Sequence, residues 1–136
     1  MERTPIDVLH LDDDSAVTDI ISRYLVEKNN RTYRSAGNLE EFADALTNCL
    51  PKITVIDGKF PDRAGGILGI RTGQAVELLR ANPEFNGTKI VIYSGEKNVV
   101  EDLAKSYGVP FYQKGTPSYR DMAFKLIEML GERDVT

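Results

Sequence analysis

Strand-length apolar runs alternate with helix-period stretches along this 136-residue chain. This alternation restricts the fold more than any single motif. Strands joined through helices lie parallel, with right-handed crossovers, and helices cover both faces of the sheet. Residues 6–11 read as the first strand. A helix follows from about Ser15, with Val17, Ile20, Ile21, Tyr24 and Leu25 at the spacing of one buried face. Residues 31–36 are charged and alternating, which suits a sheet edge. Asn38, with Glu41 three residues on, opens a second helix. Its buried face is Leu39, Phe42, Ala43 and Leu46, its pattern includes Cys49, and Pro51 ends it.

Ile53, Thr54, Val55 and Ile56 then run into Asp57. Four such residues in a row predict a strand buried on both faces. Residues 60–72 are irregular and carry Gly65, Gly66 and Gly69. A third helix is predicted over 74–81, stopped by Asn82 and Pro83. A fourth strand over 89–93 ends at Ser94 and Gly95, and a short helix over 98–106 is followed by Gly108. A fifth strand over 109–113 ends at Lys114. Thr116 as N-cap and Pro117 at the first helical position open the last helix, with Tyr119, Met122, Ala123, Leu126, Ile127 and Leu130 on its apolar face. No repeat or linker divides the chain, so one α/β domain over 1–136 is expected. Its sheet is five-stranded, parallel and doubly wound, in the flavodoxin-like order 2-1-3-4-5. That order makes the charged second strand an edge and the Asp57 strand central.

Composition narrows the function classes. A net charge of −4 gives no reason to expect direct nucleic-acid binding. No apolar run approaches a membrane span, and the first seven residues lack a signal-peptide apolar region. Cys49 is the only cysteine, which excludes an internal disulfide and points to a reducing, cytoplasmic setting. His10, the only histidine, lies inside an apolar strand and reads as core or interface rather than metal ligand or base.

Five side chains fall at strand ends that this topology gathers at one edge, where open α/β sheets bind ligands. Asp12 and Asp13 follow the first strand, Asp57 ends the third, Ser94 the fourth and Lys114 the fifth. Each has a plain alternative. The acids from 12 to 14 suit a helix N-terminus, Asp57-Gly58 is common turn chemistry, Ser94 fits a turn and Lys114 a charged surface. Together they are better explained as one site. Carboxylates held this close repel unless a cation neutralises them, and oxygen ligands suit Mg²⁺. A cation, a carboxylate and a lysine are charges arranged for a phosphoryl group, with Asp57 as nucleophile and Ser94 as hydrogen-bond donor.

On these residues the chain resembles the receiver domain of bacterial two-component response regulators. The matches are the Asp12-Asp13 pair, Asp57 with Pro61 four residues later, Ser94 before the small Gly95, and Lys114. The resemblance spans essentially the whole chain. It implies that Asp57 accepts a phosphoryl group from a phosphohistidine on a sensor histidine kinase or histidine phosphotransfer protein. It implies Mg²⁺ bound directly by Asp13 and Asp57, through water by Asp12, and by the main-chain carbonyl of Lys59. Ser94 would be the switch hydroxyl and Phe111 the aromatic switch residue, while Tyr112, its neighbour, should face the other way. A downstream protein would read the face formed by the fourth helix, fifth strand and last helix, and a homodimer is a further possible partner arrangement. No residues follow Thr136 for an output domain, so the chain acts by docking or is part of a longer protein.

Three features depart from the family pattern. Gly115 stands where proline usually follows the lysine, so the Lys114–Gly115 bond is expected to be trans. Residues 61–73 form a longer connection than usual, either a surface insertion or a flap over the site. This connection lacks the Gly-Lys-Ser/Thr of a nucleotide-binding loop. Lys59 and Glu96 flank the site and could pair to gate hydrolysis, against the alternative of two independent surface charges. Two other functions compete with the receiver reading: a phosphate-independent interaction module, and a haloacid dehalogenase-like phosphatase with Asp12 as nucleophile. Ala16 fits the phosphatase pattern poorly.

Overall fold

The computed structural model describes residues 2–131; residues 1 and 132–136, Thr136 among them, lie outside the described part. Its strands are β1 (Thr4–Leu11), β2 (Tyr33–Ala36), β3 (Cys49–Ile56), β4 (Lys89–Ser94) and β5 (Phe111–Gln113). All pair in parallel, in the order β2-β1-β3-β4-β5 that the alternation predicts. The crossovers are α1 (Ser15–Ser22), α2 (Leu39–Asn48), α3 (Thr72–Arg80), α4 (Asn98–Tyr107) and α5 (Tyr119–Leu130).

Successive strand residues point to opposite faces, and the core divides accordingly. Leu9, Leu11, Ile56 and Ile92 pack with Phe42, Val76, Leu79 and Val100 of α2, α3 and α4. Val8, Val55, Val91 and Tyr93 pack on the other face with Val17, Ile21, Met122 and Leu126 of α1 and α5. Phe111 joins the first layer and Tyr112 the second, so the two face opposite ways as expected. No helix among the described residues is long and apolar enough to cross a membrane.

Several boundaries differ from the sequence reading, each for a local reason. Pro51 does not end α2; it lies inside β3, which begins at Cys49. That end of β3 pairs with β1 (Ile6 opposite Pro51), whereas pairing with β4 begins only at Ile53. Proline is tolerated where a strand has one neighbour. Cys49 is therefore a strand residue, buried with a free thiol. On α2, Ala45 is fully buried and Ala43 only partly. The edge strand β2 is shorter than predicted because Thr32 is diverted: its backbone N–H donates to Asp7 Oδ2 at 2.9 Å. After Ser22 the first helix continues as a π-helical turn, Arg23–Glu27, which keeps Leu25 in the core. The third helix starts two residues earlier than predicted, at Thr72, and the fifth strand two residues later, at Phe111.

The last helix is capped by Ser118, not Thr116. Ser118 Oγ accepts from the Asp121 N–H at 3.1 Å. Thr116 belongs instead to a turn closing β5, where its N–H donates to the Gln113 carbonyl at 3.1 Å. Pro117 accordingly precedes the helix, joined to Thr116 by the one cis peptide among the described residues, and Lys114–Gly115 is trans.

Candidate functional site

The carboxylates are placed by backbone bonds that continue the sheet past its strand ends. The Asp12 N–H donates to the Ala36 carbonyl and the Asp57 N–H to the Leu11 carbonyl, each at 2.9 Å. Asp12, Asp13 and Asp57 offer carboxylate oxygens that all lie within 4.8 Å of one another. Asp12 and Asp57 are buried and Asp13 is exposed. Asp14, the remaining acid of the run, caps α1 by accepting from the Ala16 N–H. Lys114 is carried in from β5, its backbone N–H donating to the Ser94 carbonyl at 2.9 Å. Its Nζ stands 2.8 Å from Asp12 Oδ2 and 3.2 Å from Asp57 Oδ2.

One ammonium faces three carboxylates, and the titration of the group follows from that imbalance. Burial, then the neighbouring Asp12 charge, pushes Asp57 up to about 7, against the opposing pull of Lys114 and the Gly58 N–H. Asp13 is also raised, by burial and by Asp12 and Asp14. Burial disfavours the Lys114 ammonium, but Asp57 and Asp12 outweigh it, and its pKa lies above the ordinary lysine value. Such a surplus of hard oxygen donors fits a divalent cation of the Mg²⁺ type.

Ser94, at the end of β4, is wholly buried, and its Oγ accepts from the Glu96 N–H at 3.0 Å. Phe111 is part-buried on β5, beside the layer that contains Val100 of α4. Lys59 Nζ and Glu96 Oε1 do pair, at 3.1 Å, with both side chains about half exposed. Thus Asp12, Asp13, Asp57 and Lys114 form one contact group. Ser94 adjoins it through Gly58, and Lys59 and Glu96 form a pair beside it.

Two structural partners were not legible as such in the sequence. A Cβ on Gly58 would collide with Ser94 Oγ and lie 2.8 Å from Val100 Cγ2. Read locally, Asp-Gly signals only a turn, while the close approach comes from β4 and α4. Thr72, almost fully buried at the start of α3, places Oγ1 3.1 Å from the main-chain carbonyls of both Asp57 and Gly58. A threonine at a helix start reads as a cap, yet this hydroxyl anchors the turn after β3.

The long connection is tied down at its base. Phe60 is wholly buried and pairs with Gly69 in an antiparallel bridge, while the carbonyls of Pro61 and Asp62 accept from the first N–H groups of α2. Its tip is open, with Ile67 84% and Leu68 56% exposed.

No protein-family model and no curated protein matches this sequence. Solved structures match along most of its length. A two-component response regulator from Legionella pneumophila is 19% identical with a TM-score of 0.72, covering 92% of this chain and 97% of that one. A chemotaxis response regulator of Vibrio cholerae is 16% identical with a TM-score of 0.70, covering 94% and 98%. A receiver domain protein from Methanospirillum hungatei is 21% identical with a TM-score of 0.68, covering 94% of each chain. At these identities the likeness concerns architecture, and on that ground this chain has the fold of response-regulator receiver domains.

Proposed function

We propose that the chain is a single receiver domain that takes a phosphoryl group onto Asp57 from a phosphohistidine and passes the signal on by a conformational switch. The observation that carries this reading is Lys114, whose ammonium touches both Asp12 and Asp57 within a cluster of three carboxylates at the strand ends. A generic acidic surface patch has no need of a part-buried lysine delivered from another strand.

In the proposed reaction an Asp57 carboxylate oxygen attacks phosphorus, the bond from phosphorus to the histidine nitrogen breaks, and the released imidazole takes up a proton. Asp13, Asp57 and the Lys59 carbonyl would hold Mg²⁺, with Asp12 holding it through water. When bound, the ion would favour ionised Asp57 and offset charge on the phosphoryl oxygens. Lys114 would pair with one phosphoryl oxygen and Ser94 would donate to another. Drawing Ser94 toward the phosphoryl group would bias α4 and Phe111 between two arrangements. A partner would read that change on the face of α4, β5 and α5, or a second copy of this chain would pair there. The donor would be a sensor histidine kinase or a histidine phosphotransfer protein in the cytoplasm.

Acetyl phosphate with Mg²⁺ tests the reaction class. A hydroxylamine-labile adduct, at most one per chain, is expected, with no sustained turnover of p-nitrophenyl phosphate. Sustained ester turnover that is lost in Asp12→Asn and kept in Asp57→Asn would instead support the phosphatase alternative.

A further inference from the structure

His10 is buried directly beneath this site, on β1 two residues before Asp12, with no exposed surface. Its Nδ1 lies 2.8 Å from the Tyr33 hydroxyl of the edge strand. Its Nε2 lies 3.7 Å from Asp12 Oδ2. Neither of these last two atoms has a hydrogen bond of good geometry, although Oδ2 has the Lys114 ammonium at 2.8 Å. Val8, on the same face of β1, is an ordinary core residue. An imidazole in such a place loses its hydration and needs partners for both nitrogens.

The surroundings select one tautomer. The ring has no exposed surface, its Nδ1 already has the Tyr33 hydroxyl as partner, and its Nε2 faces only the Asp12 carboxylate. With the proton on Nδ1, a bare Nε2 lone pair would face the Asp12 carboxylate, two acceptors with nothing between them. With the proton on Nε2, Tyr33 donates to Nδ1 and the Nε2–H is directed at the carboxylate. The second arrangement gives both ring nitrogens a partner and places an N–H donor beside the buried carboxylate.

We infer that His10 is a positioning residue, whose Nε2–H keeps the Asp12 carboxylate paired and oriented once Lys114 turns to a phosphoryl oxygen. The inference rests on the proposed receiver function and extends it. Lys114 is the only cation shown contacting Asp12 Oδ2 among the described residues. When it turns away, that oxygen becomes a buried acceptor without a donor unless a neighbour closes in, and leaving it so is unfavourable. From 3.7 Å, closure by less than 1 Å brings Nε2 within ordinary hydrogen-bond distance. Partners that orient ligating side chains commonly change metal affinity about 10-fold or more when removed.

Because the chain has one histidine, nitrogen-15 NMR of the wild-type protein reads the tautomer without overlap. The protonated nitrogen should be Nε2, and Tyr33→Phe should weaken that preference. Mg²⁺ titration by calorimetry in the presence of beryllium fluoride, a phosphoryl mimic that gives Lys114 an alternative partner to Asp12, then tests the role. His10→Gln can place its amide donor near the original Nε2 and should bind within about threefold of wild type. His10→Asn reaches only the Nδ1 position and should bind about 10-fold more weakly, with cooperative unfolding showing that both variants fold. An Nδ1–H tautomer would overturn the inference whether or not the variants fold. So would wild-type affinity in a folded His10→Asn variant. Failure of the wild-type protein itself to bind Mg²⁺ would refute the proposed receiver chemistry, and this inference with it.

Discussion

Ser94 stands over Gly58 so closely that a single methyl group on Gly58 would overlap the serine hydroxyl. The same methyl would lie 2.8 Å from Val100 Cγ2, so the turn after β3, the end of β4 and the buried side of α4 meet at one point. Gly58→Ala should destabilise the fold by about 1–3 kcal/mol, the usual range for overpacking a tight site. It should also slow phosphorylation by displacing Ser94. Denaturant unfolding and adduct formation over time check both effects; unchanged stability would mean that α4 yields there without cost.

Thr72 holds that turn from the other side, through the carbonyls of Asp57 and Gly58. Thr72→Val keeps the shape and removes the donor, which should cost about 1–2 kcal/mol and slow adduct formation. Thr72→Ser, which keeps the hydroxyl, should retain most of the rate. Equal rates in the two variants would show that the contact does not position Asp57.

The Lys59–Glu96 pair is half exposed, so replacing both by alanine should change stability by less than about 1 kcal/mol. Under the proposed receiver chemistry, a pair that gates hydrolysis should act instead on the lifetime of the aspartyl phosphate. A several-fold change in the dephosphorylation rate is expected. An unchanged lifetime would leave two surface charges with no role in hydrolysis.

Two buried groups give metal-free stability opposite dependences on pH. Asp57 titrates near 7 in the fold and near 3.8 when unfolded, so between those values the folded state binds the extra proton and stability falls as pH rises. His10 titrates near 4 in the fold and near 6.5 when unfolded, so across that window the unfolded state binds more protons and stability rises with pH. Asp57→Asn should remove the falling component and stabilise the metal-free protein most above pH 7. His10→Phe should remove the rising component. Melting temperatures of the three proteins from pH 4 to 8 in EDTA would separate the terms; parallel curves would refute both assignments.

The fold was legible because its signals are periodic. Four β-branched residues before Asp57, helix-period stretches between strands and one charged, alternating edge strand were enough for the strand order. The acids and Lys114 were legible because strand ends map simply onto one edge of such a sheet. Features set by contacts distant in sequence were not. Pro51 looked like a helix stop because its missing N–H matters only if a strand pairs on both sides, and sequence does not reveal where along β3 the pairing with β4 begins. Thr116 and Ser118 are both good caps, and the turn closing β5 decides between them. Thr72 and the Tyr33–His10–Asp12 arrangement join separate elements, so no local pattern carries them.

The most direct measurement is intact mass after incubation with acetyl phosphate, for wild type and Asp57→Asn, each with Mg²⁺ and with EDTA. A single phosphoryl adduct on the wild type that needs Mg²⁺ and is absent from Asp57→Asn is the predicted result. An adduct that persists in Asp57→Asn would contradict the assignment of Asp57 as the phosphoacceptor.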